Sequence, residues 1–149
     1  SILGIDYDED KIGLAANCIS RNDRIEFAAA NAVEYYYPEA DAFILSDVLH
    51  YMPAGNQEML LRSVAAKLKP GGTIIIRDAD RDLQKRHFWT RYTEFFSTRF
   101  GYNKSLDKKL FFFSGTMISG FASSMNMSLE VCESSRVTSN RLYVLRLRT

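Results

Sequence analysis

Four stretches of the chain end in polar groups able to do chemistry, each after a short apolar run. Ile2-Leu3-Gly4-Ile5 leads into Asp6, whose carboxylate can accept both hydroxyl hydrogens of a ribose. Ile25-Glu26-Phe27 with Ala28 to Ala30 leads into Asn31, whose amide can bond the edge of an adenine. Asp41-Ala42-Phe43-Ile44-Leu45 leads into Ser46 and Asp47, and the loop beyond carries His50 and Tyr51. Thr73-Ile74-Ile75-Ile76 leads toward Asp78 and Asp80. In an open α/β sheet the ligand sits outside the carboxyl ends of the strands, near the switch point in strand order. One polar strand end is commonplace; four at equivalent positions read as a site. Each residue also has a plainer reading. Asp6 can cap the Asp8-Glu9-Asp10 turn, and His50 can be a packing histidine rather than a base titrating near neutrality.

The elements that must position these groups follow from periodicity. Asp8, Glu9 and Asp10 form an acidic first turn suited to a helix N-terminus, and Ile12, Ala15, Ala16 and Ile19 lie on one stripe behind it. Asn56 is the expected cap of a helix bearing Leu60, Leu61, Val64, Ala65 and Leu68. Lys69-Pro70-Gly71-Gly72 stops that helix and turns the chain into a β-branched strand, of the type covered on both faces. A long amphipathic helix is expected from Asp82 to Phe100, carrying Phe88, Tyr92, Phe95 and Phe96, with loop from Gly101 to Lys109. Whether Phe111-Phe112-Phe113 is exposed or buried stays open. Ser114 is a cap for a helix with Met117, Ile118, Phe121, Ala122 and Met125. Leu129 to Ser134 and Leu142 to Leu147 close the chain as strands, and their short polar connection around Thr138-Ser139-Asn140 favours antiparallel pairing. The alternation predicts an α/β fold: a doubly wound, mostly parallel sheet with a C-terminal antiparallel hairpin.

A chain of 149 residues, 46% hydrophobic and 25% charged, is expected to be one domain, 1–149, with a packed core rather than disorder. Its formal net charge of +1 supplies no field for nucleic acid or an anionic membrane. The clusters Lys104, Lys108, Lys109 and Arg136, Arg141, Arg146, Arg148 read as solvated faces. Cys18 and Cys132 fit no metal-ligand spacing and read as small core hydrophobes of a reducing, cytoplasmic compartment. No apolar run is long enough to span a bilayer, and the start has no signal-peptide layout.

These pieces resemble the Rossmann-like methyltransferases that use S-adenosylmethionine. The resemblance rests on Gly4-Ile5-Asp6-Tyr7, Ala30-Asn31-Ala32, Phe43-Ile44-Leu45-Ser46-Asp47-Val48-Leu49-His50-Tyr51, and above all the turn Leu68-Lys69-Pro70-Gly71-Gly72 before an apolar strand. It implies that Asp6 binds the cofactor ribose and Tyr7 borders the adenine. Asn31 and Ala32 would flank the adenine amino group, although the family more often has aspartate where Asn31 stands. Ser46 and Asp47 would lie beside the methionine part, with His50 and Tyr51 facing a small-molecule or lipid-like acceptor; no metal is implied. The family's first strand and glycine-rich loop should precede Asp6 by ~20 residues. The chain therefore reads as an N-terminally shortened piece of a longer protein. Such a piece is expected to bind cofactor weakly or not at all, and either to pair its flanking strands directly or to associate with a second copy.

Two rivals are weaker. An acid after the second strand also recognises the ribose of NAD, and Tyr7 and Lys11 show the Y-x-x-x-K spacing of short-chain dehydrogenases, but at the wrong point in the chain. A degenerate, non-catalytic scaffold domain is the alternative from another class, mildly favoured by Asn31.

Overall fold

Parallel pairing organises the first stretch. The computed structural model describes residues 1–18, 22–80, 82, 111–133 and 140–148. β1 (Ile2–Asp6) and β2 (Ile25–Ala29) run parallel, with Ile2 opposite Ile25 and Asp6 opposite Ala29. The crossover that parallel strands require contains α1 (Glu9–Ala16). Asp8 caps that helix by accepting from the Asp10 amide at 3.1 Å, and Glu9 and Asp10 face the positive end of its dipole. The helix stops at Ala16, so Ile19, expected on its stripe, lies outside the described residues. No α1 residue is buried. Ser1–Tyr36 forms one compact unit and Tyr37–Thr149 a second.

The second unit contains β3 (Ala40–Ser46), a 3-10 turn (Leu49–Tyr51), α2 (Ala54–Ala65), β4 (Leu68–Ala79), α3 (Gly115–Ser124), β5 (Met127–Glu133) and β6 (Asn140–Leu147). Its sheet has the order β3-β4-β6-β5, with β3 and β4 parallel and β6 antiparallel to both neighbours. The two parallel ladders and the antiparallel hairpin are the expected α/β arrangement, with β6 as the inner strand of the hairpin. The long helix and the loop expected between Asp82 and Lys109 lie outside the described residues, except Asp82 itself. So do Thr138 and Ser139, whereas Asn140 already belongs to β6.

Three local expectations change. α2 starts at Ala54 with Pro53 as its cap, not Asn56: proline's fixed φ suits the position before a helix, and the Gln57 amide bonds the Pro53 carbonyl at 3.0 Å. The Lys69-Pro70-Gly71-Gly72 segment lies within the bounds of β4 as a register shift, between the pairs Ala40–Leu68 and Ala42–Thr73. Gly71 has a φ of +74°, and a Cβ on Gly72 would stand 2.8 Å from the Lys69 carbonyl, so both glycines are required. Cys18 is exposed and Cys132 half-buried, so neither is a core residue: α1 buries nothing, and Cys132 lies in β5 at one end of the strand order.

Every buried apolar residue among the described ones lies between Tyr37 and Leu145. Leu60, Leu61 and Val64 of α2, Ile118 of α3, Ile74 and Ile76 of β4 and Leu145 of β6 are fully enclosed. Each such side chain contributes about 1.5–3 kcal/mol of transfer free energy. Cover is one-sided. Ile75 is half-buried and its register partner Ile44 is 69% exposed, where the apolar run predicted cover on both faces. No helix among the described residues is long and apolar enough to cross a membrane.

Candidate functional site

The parallel register of β1 and β2 brings their carboxyl ends side by side. The Ala30 amide bonds the Asp6 carbonyl at 2.9 Å, which sets Asn31 just beyond Asp6. Asp6 is half-buried; its Oδ1 accepts from the Asp8 amide at 2.9 Å, so the turn-capping reading is realised for one oxygen. Its Oδ2 accepts no hydrogen bond among the described residues. Asn31 is exposed and its Oδ1 accepts from the Val33 amide at 3.1 Å. Tyr7 and Ala32 are half-buried beside them. Four of the residues singled out in the sequence thus gather within Ser1–Tyr36.

The other four gather within the second unit, again because two parallel strands end together. Ser46 pairs with Arg77 in register, and the Asp47 amide bonds the Arg77 carbonyl at 2.8 Å. Asp47 has a φ of 52°, a left-handed conformation in which the chain leaves β3. Its carboxylate pairs with the Arg77 guanidinium and accepts from the Ser46 hydroxyl at 3.2 Å. Partial burial raises its pKa, with Arg77 acting in the opposite direction.

His50 is 2% exposed. Its Nδ1 lies 2.5 Å from Oδ1 of the fully buried Asp78. An ionised carboxylate can only accept, so Nδ1 carries the proton. Asp78 Oδ1 also accepts from the Ala79 amide, and Oδ2 accepts from the Leu49 amide at 2.7 Å. The end of β4 therefore clamps the turn after β3. Tyr51, half-buried, lies with its ring centroid 4.0 Å from the imidazole.

Two polar clusters escaped the sequence reading. Asp80, fully buried, accepts from Tyr143 Oη at 2.6 Å, Arg141 Nη1 at 3.1 Å, the Asp82 amide at 2.9 Å and the Gly115 amide at 3.2 Å. Gln57, 2% exposed, donates from Nε2 to the carbonyls of Leu49, Met52 and Phe111. The only sequence signal was an acid at the end of an apolar strand for Asp80; Gln57 reads as a surface residue of a helix.

Strand ends of this kind, in an α/β chain whose β4 opens on Leu68-Lys69-Pro70-Gly71-Gly72, belong to a Rossmann-like fold. Residues 1–76 match the family model described as a methyltransferase domain, and the chain belongs to that family. It is 29% identical over 110 residues to the carboxy-S-adenosyl-L-methionine synthase of Desulfotalea psychrophila, covering 70% of this chain and 44% of that protein. It is 29% identical over 68 residues to the tetracenomycin polyketide synthesis 8-O-methyl transferase of Streptomyces glaucescens, covering 46% of this chain and 20% of that one. The chain thus spans less than half the length of either relative. Among solved structures, the N-methyltransferase NodS from Bradyrhizobium japonicum in complex with S-adenosylhomocysteine superposes with a TM-score of 0.69 at 17% identity. That likeness covers 99% of this chain and 66% of NodS, and it is one of fold.

Proposed function

We propose that the chain, acting as one methyltransferase-like domain, transfers a methyl group from S-adenosylmethionine to a small-molecule or lipid-like acceptor. One observation carries the reading: in a methyltransferase-family chain, a half-buried carboxylate ends the first parallel strand with Oδ2 unclaimed by any described residue. That atom fits a ribose hydroxyl. One relative is a carboxy-S-adenosyl-L-methionine synthase and the NodS complex holds S-adenosylhomocysteine, which supports the same cofactor.

When bound, S-adenosylmethionine supplies a methyl group activated by its sulfonium. The chain's residues hold and orient. Asp6 accepts from the ribose and Tyr7 borders the adenine. Asn31, whose carbonyl oxygen keeps a second lone pair, flanks the adenine amino group with Ala32. Ser46 and Asp47 lie along the methionine part. His50 and Tyr51 serve the acceptor, His50 as a proton acceptor whose ring Asp78 fixes. Alignment of the acceptor with the methyl group contributes more than the base, because ordering two reactants removes much of the barrier.

Calorimetric titration of S-adenosylhomocysteine into the full-length protein tests this. Asp6→Ala is expected to weaken binding at least tenfold, about 1.4 kcal/mol. Unchanged affinity would remove Asp6 from the site. No binding by the folded protein would favour a non-catalytic scaffold, a reading that the use of Asp6 Oδ1 and Asn31 Oδ1 in local turns supports.

A further inference from the structure

The run Phe111-Phe112-Phe113 falls on a cavity. Phe113 is buried and packs edge-on against Tyr143, whereas Phe111 and Phe112 are half-buried. With Ala54, Gln57, Ser114 and Met117 the three rings line a space of about 250 Å³ at the N-terminal end of α2. That exceeds the ~150 Å³ void in which benzene is held in an apolar core and falls short of the ~300 Å³ at which drug-sized pockets begin. It suits one ring or a fused pair. Among the described residues no charged side chain lines it, so they offer an ionised ligand no compensation for lost hydration.

One polar group in that lining is unfinished. Gln57 lies 3.0 Å from the Leu49 carbonyl, 3.1 Å from that of Met52 and 2.7 Å from that of Phe111, all through Nε2. Turning the amide over would set its oxygen against three carbonyl oxygens, so the orientation is fixed. Both N–H hydrogens are thereby committed. Oε1 accepts from no described residue, although the side chain is 2% exposed. Oε1 itself is not a buried acceptor without a donor, so a ligand O–H or N–H would take the place of water there.

We propose that this cavity binds an uncharged aromatic ring bearing one O–H or N–H, with Gln57 Oε1 accepting that hydrogen and Phe112 and Met117 packing on the ring. As the seat of a methyl acceptor the site rests on the methyltransferase reading; as a binding site it does not. The probes are phenol and its methyl ether anisole, the same ring without the donor, titrated without cofactor and followed by methyl and aromatic NMR shifts.

Phenol is expected to shift Met117 and Phe112 signals and to bind at least fivefold more tightly than anisole. Gln57→Leu should abolish that preference. Because it also strips three carbonyls of their donor, Ala54→Phe at the exposed rim is the second variant; it should block phenol while leaving Tm unchanged. Equal affinity for phenol and anisole, phenol binding that survives Ala54→Phe, or no shift with phenol in folded protein would each overturn the proposal. Phenol binding in a protein that ignores S-adenosylhomocysteine would keep this site and sink the methyltransferase reading, and the converse pattern would do the reverse.

Discussion

Asp47 occupies a costly position. A left-handed φ of 52° costs a non-glycine residue about 1 kcal/mol, and partial burial penalises its charge more than Arg77 compensates. A carboxyl whose folded pKa is raised binds its proton more tightly in the native state. Its contribution to stability is then fully present below the ordinary value of 3.8 and is lost as pH rises through the folded pKa. Asp47→Asn removes that charge and tolerates the backbone, so thermal unfolding at pH 7 should show a higher Tm, with the gain shrinking toward pH 4. A lower Tm at pH 7 would mean that the Arg77 pair outweighs burial. The same substitution should weaken S-adenosylhomocysteine binding, a trade of stability against function. His50→Asn separates the roles of its neighbour: an asparagine amide can still donate to Asp78 from near the Nδ1 position but offers nothing at Nε2. Preserved Tm with kcat reduced at least tenfold would mark His50 as the proton acceptor; preserved kcat would leave it a clamp.

Between elements, Asp80 is the junction. It joins the end of β4 to β6 through Arg141 and Tyr143, and to the start of α3 through the Gly115 amide. Burial and the adjacent Asp80 carboxylate push the Tyr143 hydroxyl above its ordinary value of 10.0. A raised folded pKa places this stabilisation below that value, and it is lost as pH climbs beyond it. Ser114 caps α3 by accepting from the Met117 amide at 3.1 Å, as its sequence position predicts. Gly115 comes next, and there propensity and packing disagree. Alanine in a helix is favoured over glycine by about 1 kcal/mol, but a Cβ here would lie 2.9 Å from Tyr143 Oη and 3.0 Å from Asp80 Oδ2. Gly115→Ala should therefore lower Tm by several degrees in a thermal melt, against the helix scale. A higher Tm would show that the junction yields.

Across the molecule, burial is uneven. Among the described residues, Ser1–Tyr36 contributes no buried apolar side chain, while the second unit encloses all of them. Units of this size seldom hold together on their own core. Hydrogen exchange should accordingly be fastest at the β1 and β2 amides and slowest in β4 and β6. A ligand that binds only the folded form slows exchange where it binds. S-adenosylhomocysteine should thus protect residues 2–6 and 25–32 first; protection confined to β4 and β6 would move the cofactor away from Asp6.

Periodicity and punctuation along the chain already determined much of this protein. Alternating apolar runs and helical stripes marked the six strands and three helices described, and Ser114 announced its helix. The Lys69-Pro70-Gly71-Gly72 turn marked the family because local backbone geometry restricts which residues serve there. Strand ends pointed to Asp6 and Asn31 in one parallel ladder and to Ser46 and Asp47 in the other, because paired parallel strands end side by side. What depends on contacts distant in sequence was not legible. Asp78 meets His50 across 28 positions, Asp80 meets Tyr143 across 63, and Gln57 meets Phe111 across 54. Such pairings, the placing of β6 between β4 and β5, and the use of His50 as a buried partner rather than an exposed one were decided by tertiary structure. A residue's type sets which bonds it can make, but only the folded chain sets which partner is within 3 Å when water is excluded.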